Sequence, residues 1–378
     1  MYPVCYNAMV LHEPYSGVEV TVHQLACALV TCGTLPLSLC IPPNQRTIPV
    51  APHVTVHVSK LATQSRLLRI LWEQTLLPLH LKRIRSPLLH APAYVAPLLC
   101  PCPFILTIHD LHVLTHPQFC SRSNRLHYRL LIPPSIRKAA AIIAYSPYTR
   151  QTILNYFPEA EGRLVVIPPG IAPTFSRCTD YARLRSVRQR YALPLSFLLF
   201  VGDLSQRKNI VNLIRAFAIV QAERPDMHLI LAGAADPKAG ADLDRVIREH
   251  GVPHRVSRIG YVHADDLPVF YSLAEAFVFP SHDEGFGLPP LEAMACGCPV
   301  VCSGGAAVEN CGDSAVSCDP QDRASIASAV SLLLDHPQFR AEKIAAGYRK
   351  AAKFTWENAT HETEALYRKI LKLPAAKS

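Results

Sequence analysis

The sequence lacks the signals of several protein classes, and each absence narrows what the chain can be. No apolar run approaches the roughly 20 residues that a transmembrane helix needs. Neither G-x-G-x-x-G nor G-x-x-x-x-G-K-[ST] occurs, so the two common glycine-rich nucleotide loops are absent. No stretch shows the motif set of a known nucleic-acid-binding module. We therefore expect no membrane-spanning segment, no dehydrogenase activity and no nucleic-acid partner.

Cysteine is present, but without the pattern of a disulfide framework or a metal site. The 13 cysteines are odd in number, and no His/Cys pair completes Cys100-Pro-Cys102 or Cys296-Gly-Cys298. Residues 1–15 show no basic segment followed by a long apolar run, so we expect no signal peptide. Free thiols and no leader indicate a cytoplasmic protein.

The length and composition indicate a packed protein of two domains. At 378 residues the chain exceeds one typical core, and 49% hydrophobic with 18% charged residues argues against disorder. The formal charge of +9 permits phosphorylated ligands or anionic lipid and selects neither.

Alternating strand and helix patterns occur in two series of similar size, which predicts an α/β fold with two parallel sheets. The first series ends in Pro168-Pro169-Gly170, and the polar, basic residues 175–191 predict the boundary. We therefore predict domains at 1–175 and 192–355, with a final helix at 356–378.

A basic amphipathic helix is predicted over residues 61–85, interrupted at Pro78. One interpretation is attachment to an anionic membrane surface, and the other is an outer helix with a solvated basic face. The sequence favours neither.

Residues 277–299 read as a strand, a polar loop, a helix and a second strand. In such units the loop opens at the carboxyl edge of the sheet, where open α/β sheets bind ligands. Glu284 lies in the loop and Glu292 in the helix, separated by seven residues. Ionised carboxylates accept hydrogen bonds from vicinal hydroxyl groups, so the pair suits a sugar or a ribose. The alternative is a capped surface helix with two solvated glutamates.

Two other loops carry candidate ligand-binding residues. Gly202 directly follows a predicted strand, and Arg207 and Lys208 stand at the start of the next helix, a pattern that suits phosphate. His109-Asp110 ends another strand at the ligand edge. The alternatives are an ordinary surface loop and a packed histidine.

The order of these motifs resembles the retaining glycosyltransferases of family 4, which have the GT-B fold. The resemblance spans nearly the whole chain. Its motifs are listed here in chain order: Ser16-Gly17-Val18-Glu19, Leu71-Trp72-Glu73-Gln74, His90-Ala-Pro92, Thr107 to Leu111, residues 142–149, residues 166–171, Gly202 through Asn209, Glu284 to Glu292, and Phe354 to Glu357.

The resemblance implies a fold and a set of residue roles. It implies two Rossmann-like domains facing each other across a cleft, with the C-terminal helix crossing back to the first. Arg207 and Lys208 would hold the donor diphosphate, Glu284 would lie beside the sugar, and Glu292 would bind the ribose. His109 would reach the sugar from the opposite domain as a catalytic residue, and Gly17 would line the cleft near the donor and the acceptor. The remaining implied donor-site residues are Gly202, Gly285, Phe286, Gly287 and Leu288, with Glu309 as a less firm addition.

The resemblance also implies the reaction. A hexosyl group, mannosyl by the branch resembled, would pass from a nucleoside diphosphate sugar such as GDP-mannose to a glycan or lipid-linked acceptor in cell-surface polysaccharide synthesis. No cofactor and no metal would be required, because two cations meet the phosphate. The expected location is the cytoplasm, including the inner face of the plasma membrane. A non-catalytic sugar-nucleotide-binding subunit and a GT-B epimerase are the alternatives.

Three residues depart from the family pattern. Asp203 follows the glycine where some members have arginine, Val20 replaces a frequent basic residue, and Pro169 stands where asparagine is usual. These departures concern the details of donor contact and leave the assignment intact.

Overall fold

The computed structural model describes residues 2–13, 15, 17–43, 45, 47–59, 65–234 and 237–374. The chain forms two compact units, one of Met1–Gly170 with Phe354–Ser378 and one of Ile171–Lys353. Each unit is built on its own parallel sheet. Among the described helices, none has the length and hydropathy needed to cross a bilayer.

The first unit contains a seven-stranded sheet in the order β3-β2-β1-β4-β5-β6-β7. All pairs are parallel, and the inner strands are buried apolar runs, as is usual for a sheet covered on both faces. The strands are β1 (Val4–Asn7), β2 (Leu37–Ile41), β3 (Val54–Val58), β4 (Leu89–Ala91), β5 (Phe104–Ile108), β6 (Ala141–Ala144) and β7 (Leu164–Val166).

Helices connect these strands. They are α1 (Gly17–Thr31), α2 (Arg66–Leu71), α3 (Leu77–Arg83), α4 (His112–Thr115), α5 (Arg122–Lys138) and α6 (Pro147–Tyr156). A π-helical turn, Trp72–Leu76, joins α2 to α3. Ser121 and Ser146 cap α5 and α6 by accepting a hydrogen bond from the backbone three residues on.

The second unit contains a six-stranded parallel sheet in the order β10-β9-β8-β11-β12-β13. Its strands are β8 (Phe197–Val201), β9 (His228–Ala232), β10 (Val256–Gly260), β11 (Ala276–Phe279), β12 (Val300–Cys302) and β13 (Val316–Ser317). Its helices are α7 (Tyr181–Arg190), α8 (Ile210–Glu223), α9 (Pro237–Glu249), α10 (Leu267–Leu273), α11 (Leu288–Ala295), α12 (Gly305–Cys311), α13 (Arg323–Asp335) and α14 (Pro337–Ala351).

The C-terminal helix α15 (Trp356–Ile370) packs on α1 of the first unit. Two buried polar contacts fix it there. The Glu364 carboxylate accepts hydrogen bonds from the backbone of Thr34 and Leu35, and Tyr367 is hydrogen-bonded to buried His90. Because buried polar groups left without partners are costly, these contacts fix the register of the helix.

The structure adds detail to three segments singled out in the sequence. Residues 175–191, predicted as the boundary between the domains, lie inside the second compact unit and contain α7, whose start is capped by Asp180. The predicted helix over residues 61–85 is described from Ser65 onward and changes to π-helical geometry before Pro78; Leu61 to Gln64 lie outside the described residues. The segment around Glu309 is helical, as α12.

Candidate active site

Both sheets reverse their strand order once, and ligands of open α/β sheets bind at that reversal. In the second unit the reversal lies between β8 and β11, which are paired neighbours. The loops after these strands are joined: the backbone N–H of His282 donates to the Arg207 carbonyl at 3.0 Å, and the Asn209 side chain donates to the Pro280 carbonyl at 3.0 Å. The predicted phosphate loop and the predicted sugar loop therefore form one site.

A three-residue charge cluster occupies this site. One carboxylate oxygen of Glu284, Oε1, accepts hydrogen bonds from Arg207 Nη1 at 2.8 Å and from Lys208 Nζ at 2.7 Å. Arg207 also donates to the Asp283 carbonyl, and Lys208 Nζ lies 4.6 Å from the centre of the Phe279 ring. The cations that sequence analysis assigned to phosphate are thus held by the carboxylate that it assigned to the sugar.

Glu284 is ionised at neutral pH. Burial by itself would raise the pKa of this carboxyl group, but the charges of Lys208 and Arg207 outweigh that effect and lower the pKa to about 2. Two positive charges and one negative charge leave the cluster with a net charge of +1. Such a cluster attracts an anion.

The glycines of the predicted donor loop, Gly285 to Leu288, allow it to pack closely on the next element. Gly287 has φ +84°, and a Cβ atom there would lie 2.7 Å from the Ala307 side chain on α12. The Asn310 side chain of α12 donates to the Phe286 carbonyl at 2.7 Å. The loop is therefore fixed before any ligand arrives.

Gly202 lies where the loops after β8 and β9 approach each other. Its φ is +148°, and its carbonyl oxygen lies 1.7 Å from the position that a Cβ atom of Gly233 would take. Only glycine at position 233 permits this approach. Beside it runs a cleft of about 700 Å³, which sequence analysis did not predict. Its lining residues are Leu204, Gly233, Ala234, Asp244, Ile247, Arg248, Pro253, Val256, Arg258 and Gly260.

Glu292 differs in character from Glu284. It lies on α11, and its Oε2 accepts a hydrogen bond from the Tyr271 hydroxyl at 3.1 Å. Burial raises the pKa of Glu292 to about 7, and the hydrogen bond from Tyr271 offsets only part of that rise. The two carboxyl groups therefore differ: Glu284 is held as an anion, and Glu292 titrates near neutral pH.

In the first unit, His109 follows β5 and is almost fully buried. Its Nε2 lies 2.7 Å from the Pro92 carbonyl, which can only accept, so Nε2 carries the proton. Its Nδ1 lies 3.4 Å from the Thr21 hydroxyl, and burial lowers its pKa. His109 is thus a neutral imidazole with both nitrogens engaged inside the unit.

Gly17 and Asp110 complete the predicted residues of this unit. Gly17 is the first residue of α1, and a Cβ atom there would meet nothing within 4 Å, so the space beside it is open. Ser16, which precedes it in the motif, lies outside the described residues. Asp110 accepts from the Tyr94 hydroxyl at 2.7 Å and from the backbone of His112 at 3.0 Å. Within the described residues, no three or more His, Cys, Asp or Glu side chains are grouped to hold a metal ion.

Comparison with known proteins assigns the family. Residues 15–175 match the model of Glycosyltransferase Family 4, and residues 189–350 match that of Glycosyl transferases group 1. The chain is 32% identical over 270 residues to the O-antigen chain mannosyltransferase B of Escherichia coli, covering 70% of each protein. The chain belongs to the family 4 glycosyltransferases.

A further relative and two solved structures are similar to this glycosyltransferase. A serotype-specific mannosyltransferase of Escherichia coli is 30% identical over 263 residues, which are 68% of this chain and 32% of that longer protein. A sucrose-phosphate synthase from Thermosynechococcus elongatus has a similar structure, with a TM-score of 0.78 at 22% identity over 98% of this chain and all of that one. HepE of Anabaena, solved with UDP and glucose, is similar with a TM-score of 0.78 at 19% identity over 98% of this chain and all of that one. The structural likeness confirms the GT-B fold of two Rossmann-like units.

The sequence does not show how several residues shape the candidate site. Asn209 takes the left-handed conformation and links the two loops, Asn310 holds the donor loop, and Tyr271 bonds Glu292 from 21 positions away. Glu309, noted in the sequence, lies on the exposed side of α12 beside Asn310. Only the fold brings these partners together.

Glu292 gives a prediction about stability and pH. Between its ordinary pKa of 4.5 and its folded value of about 7, the folded protein holds a proton that the unfolded chain has lost. The free energy of unfolding therefore falls as pH rises through this window. We expect Glu292→Gln to be more stable than the wild type by about 1–3 kcal/mol at pH 8, with the difference vanishing near pH 4.5.

Urea unfolding of the ligand-free protein at several pH values between 4.5 and 8 tests this prediction. Glu342→Gln, an exposed glutamate on α14, is the matched control and should follow the wild type. A stability difference for Glu292→Gln that is flat with pH would contradict the assigned protonation.

Proposed function

We propose that this glycosyltransferase transfers a mannosyl group, with retention of configuration, from a nucleoside diphosphate sugar to a glycan or lipid-linked acceptor. The charge cluster of Arg207, Lys208 and Glu284 carries the proposal. It lies at the strand reversal of the second sheet and keeps a net positive charge in a largely buried site. A diphosphate is the anion that this arrangement suits.

Arg207 and Lys208 would stabilise the charge that develops on the leaving diphosphate. As the bond from the anomeric carbon to the phosphate oxygen breaks, negative charge grows on that oxygen, and preorganised cations lower the barrier. The acceptor hydroxyl oxygen bonds to the anomeric carbon on the same face, and its proton passes to the departing phosphate. This route needs no protein nucleophile, and we assign none.

Glu284 then has a positioning task in addition to its predicted place beside the sugar. Its bonds to Arg207 and Lys208 hold the two cationic groups in place before the donor binds. We propose that Glu292 meets the ribose hydroxyl groups. Its ionised form accepts two such bonds, so donor binding should favour loss of its proton.

The donor base fits the cleft beside Gly233 and Gly260. Leu204 lines this cleft and stands three residues before Arg207, so base and diphosphate can be bound by one continuous loop. GDP-mannose is the proposed donor, because two relatives are named mannosyltransferases. UDP-glucose is the second candidate, since HepE was solved with UDP-glucose. We propose that the two cations make a metal unnecessary.

Nucleoside diphosphate release from a panel of GDP-mannose, UDP-glucose and dTDP-rhamnose tests the proposal. We expect release with one donor, stimulated by a saccharide acceptor. Lys208→Ala should lose about 10²- to 10³-fold in turnover, by analogy with the loss of one oxyanion-stabilising donor. Lys353→Ala, an exposed lysine of the same unit, is the control and should turn over normally.

Two results would refute the proposal. A folded wild-type protein that binds donor without releasing nucleotide would favour a non-catalytic binding subunit, and release of an epimerised sugar would favour an epimerase. Full activity of Lys208→Ala would refute the role of the cation.

We also propose that the first unit docks on an anionic bilayer at the inner face of the plasma membrane. The exposed side chains of Leu71, Leu79, Leu99, Leu126 and Leu130, here called the leucine surface, lie on α2, α3, α5 and the loop after β4. The side chains of Leu126 and Leu130 are more than 60% exposed and stand one helical turn apart. Contiguous exposed apolar patches mark interaction sites, and we propose that these leucines share one face of the unit.

The loop carrying Leu99 connects the two helical parts of the leucine surface. Gln74 of the π turn bonds the backbone of Ala96 and Leu98, and Lys138 of α5 donates to the Leu98 carbonyl at 2.9 Å. α5 holds five basic residues and no acidic one. Basic groups around exposed leucines suit anionic phospholipid.

Vesicle flotation tests the membrane contact. We expect the wild type to bind phosphatidylcholine vesicles containing about a third phosphatidylglycerol, and not pure phosphatidylcholine. The double variant Leu126→Ser/Leu130→Ser should bind at least about five-fold less, because it loses two of the five leucines that would insert. Leu195→Ser, an exposed leucine of the second unit, is the control. Equal binding of neutral and anionic vesicles, or no binding at low salt, would contradict the proposal.

A further inference from the structure

The first sheet has its own strand reversal, between β1 and β4. Asn7 is the last residue of β1 and lies at this point, almost fully buried. Its Oδ1 accepts from the backbone of Met9, and its Nδ2 lies 3.4 Å from Oε1 of Glu73. A carboxyl group therefore stands at the ligand edge of the first sheet, where neither the assigned donor residues nor His109 account for it.

The π-helical turn presents Glu73 to this edge. In a regular helix the ring of Pro78 would clash with the Gln74 carbonyl. That carbonyl would also lack a hydrogen-bond donor, because proline has no N–H. The wider π turn at Trp72–Leu76 accommodates the proline. The turn is fixed by buried Trp72 and by the Gln74 side chain, which bonds the loop after β4. Single π turns inside helices often occur at functional sites.

The Glu73 carboxyl group is only weakly hydrogen-bonded. Its hydrogen bond to Asn7 is long, and burial raises its pKa to about 7. The charged group that acts on it is Arg69, one turn earlier, and β1 contributes only the neutral amide of Asn7. Yet Glu73 keeps partial access to solvent. A largely buried carboxyl group that solvent can still reach, and that has one weak hydrogen bond, is typical of a ligand contact.

We propose that Glu73 binds a hydroxyl group of the acceptor saccharide at the strand reversal of the first sheet. The inference rests on the proposed transfer to a glycan. It adds a residue that recognises the acceptor, separate from the cluster that handles the donor. In its ionised form Glu73 accepts a hydrogen bond from the hydroxyl, while Asn7 holds the other side of the carboxylate. No bond is made or broken at Glu73.

The test uses GDP-mannose as donor and octyl α-D-mannopyranoside as acceptor, with the full-length wild type, Glu73→Ala, Glu73→Gln and Thr75→Ala. Loss of a charged hydrogen bond should raise the acceptor KM of Glu73→Ala about 10- to 100-fold. The donor KM and the slow release of nucleotide without acceptor should stay within about two-fold. Thr75 lies in the same π turn with an exposed side chain, so Thr75→Ala should match the wild type.

A pH profile separates binding from a structural role. For the wild type at saturating GDP-mannose, where the bound donor already holds Glu292 ionised, kcat/KM for the acceptor should rise between pH 6 and 8 as Glu73 ionises. Glu73→Gln should lose that rise while folding normally. An unchanged acceptor KM in both variants, or the same pH profile in Glu73→Gln, would overturn the inference.

A second measurement keeps this test independent of the proposed function. Saturation-transfer NMR with octyl α-D-mannopyranoside alone needs no turnover. If the wild type transfers no sugar, the proposed function is refuted. The role of Glu73 is then tested by the saccharide binding that the NMR experiment measures. Weaker saccharide binding in Glu73→Ala supports its role; equal binding, or no binding by the wild type, refutes it.

Discussion

The interaction on which the second unit depends is the shared ion pair of Glu284 with Lys208 and Arg207. It crosses the point where the sheet reverses its strand order, and it connects the loops that follow β8 and β11. Removing one partner of a buried pair leaves an uncompensated charge, at a typical cost of about 3–5 kcal/mol. The pair therefore connects two loops of the second unit and forms part of the proposed donor site. A bound diphosphate would compete with Glu284 for Arg207 and Lys208.

Both units place polar residues where the strand order of their sheet reverses, but the residues differ between the two units. The reversal of the second sheet gathers cations, while that of the first gathers Asn7, Glu73 and the loop after β4. His109, at the next strand end, is a neutral imidazole whose two nitrogens are engaged by Pro92 and Thr21. A ligand that used this ring as a hydrogen-bond partner would have to replace one of those contacts. The polar groups at the first reversal are the Asn7 amide and the Glu73 carboxyl group, whereas the second reversal carries two cations held by Glu284.

The sequence predicts two parallel sheets and the loops after their strands from local patterns: apolar runs, glycines after strands, and seven residues between two glutamates. It could not give the protonation of Glu292, which depends on Tyr271 and on burial created by the fold. Nor could it show that Glu284 binds the cations 76 and 77 positions before it. Pro78 indicated an interrupted helix, but the π turn and its effect on Glu73 follow only from the packing of Trp72 and Gln74.

The affinity of GDP for the wild type and for Glu284→Gln, measured by calorimetry at pH 7.5, shows whether the Glu284 carboxylate competes with a diphosphate for Arg207 and Lys208. A glutamine keeps the shape of the side chain and can still accept bonds from Arg207 and Lys208, but it no longer neutralises one of their charges. We expect GDP to bind Glu284→Gln about ten-fold more tightly, because the diphosphate meets two uncompensated cations. Equal or weaker binding by a folded Glu284→Gln would show that the carboxylate does not compete with the phosphate for these cations, and the account would be wrong.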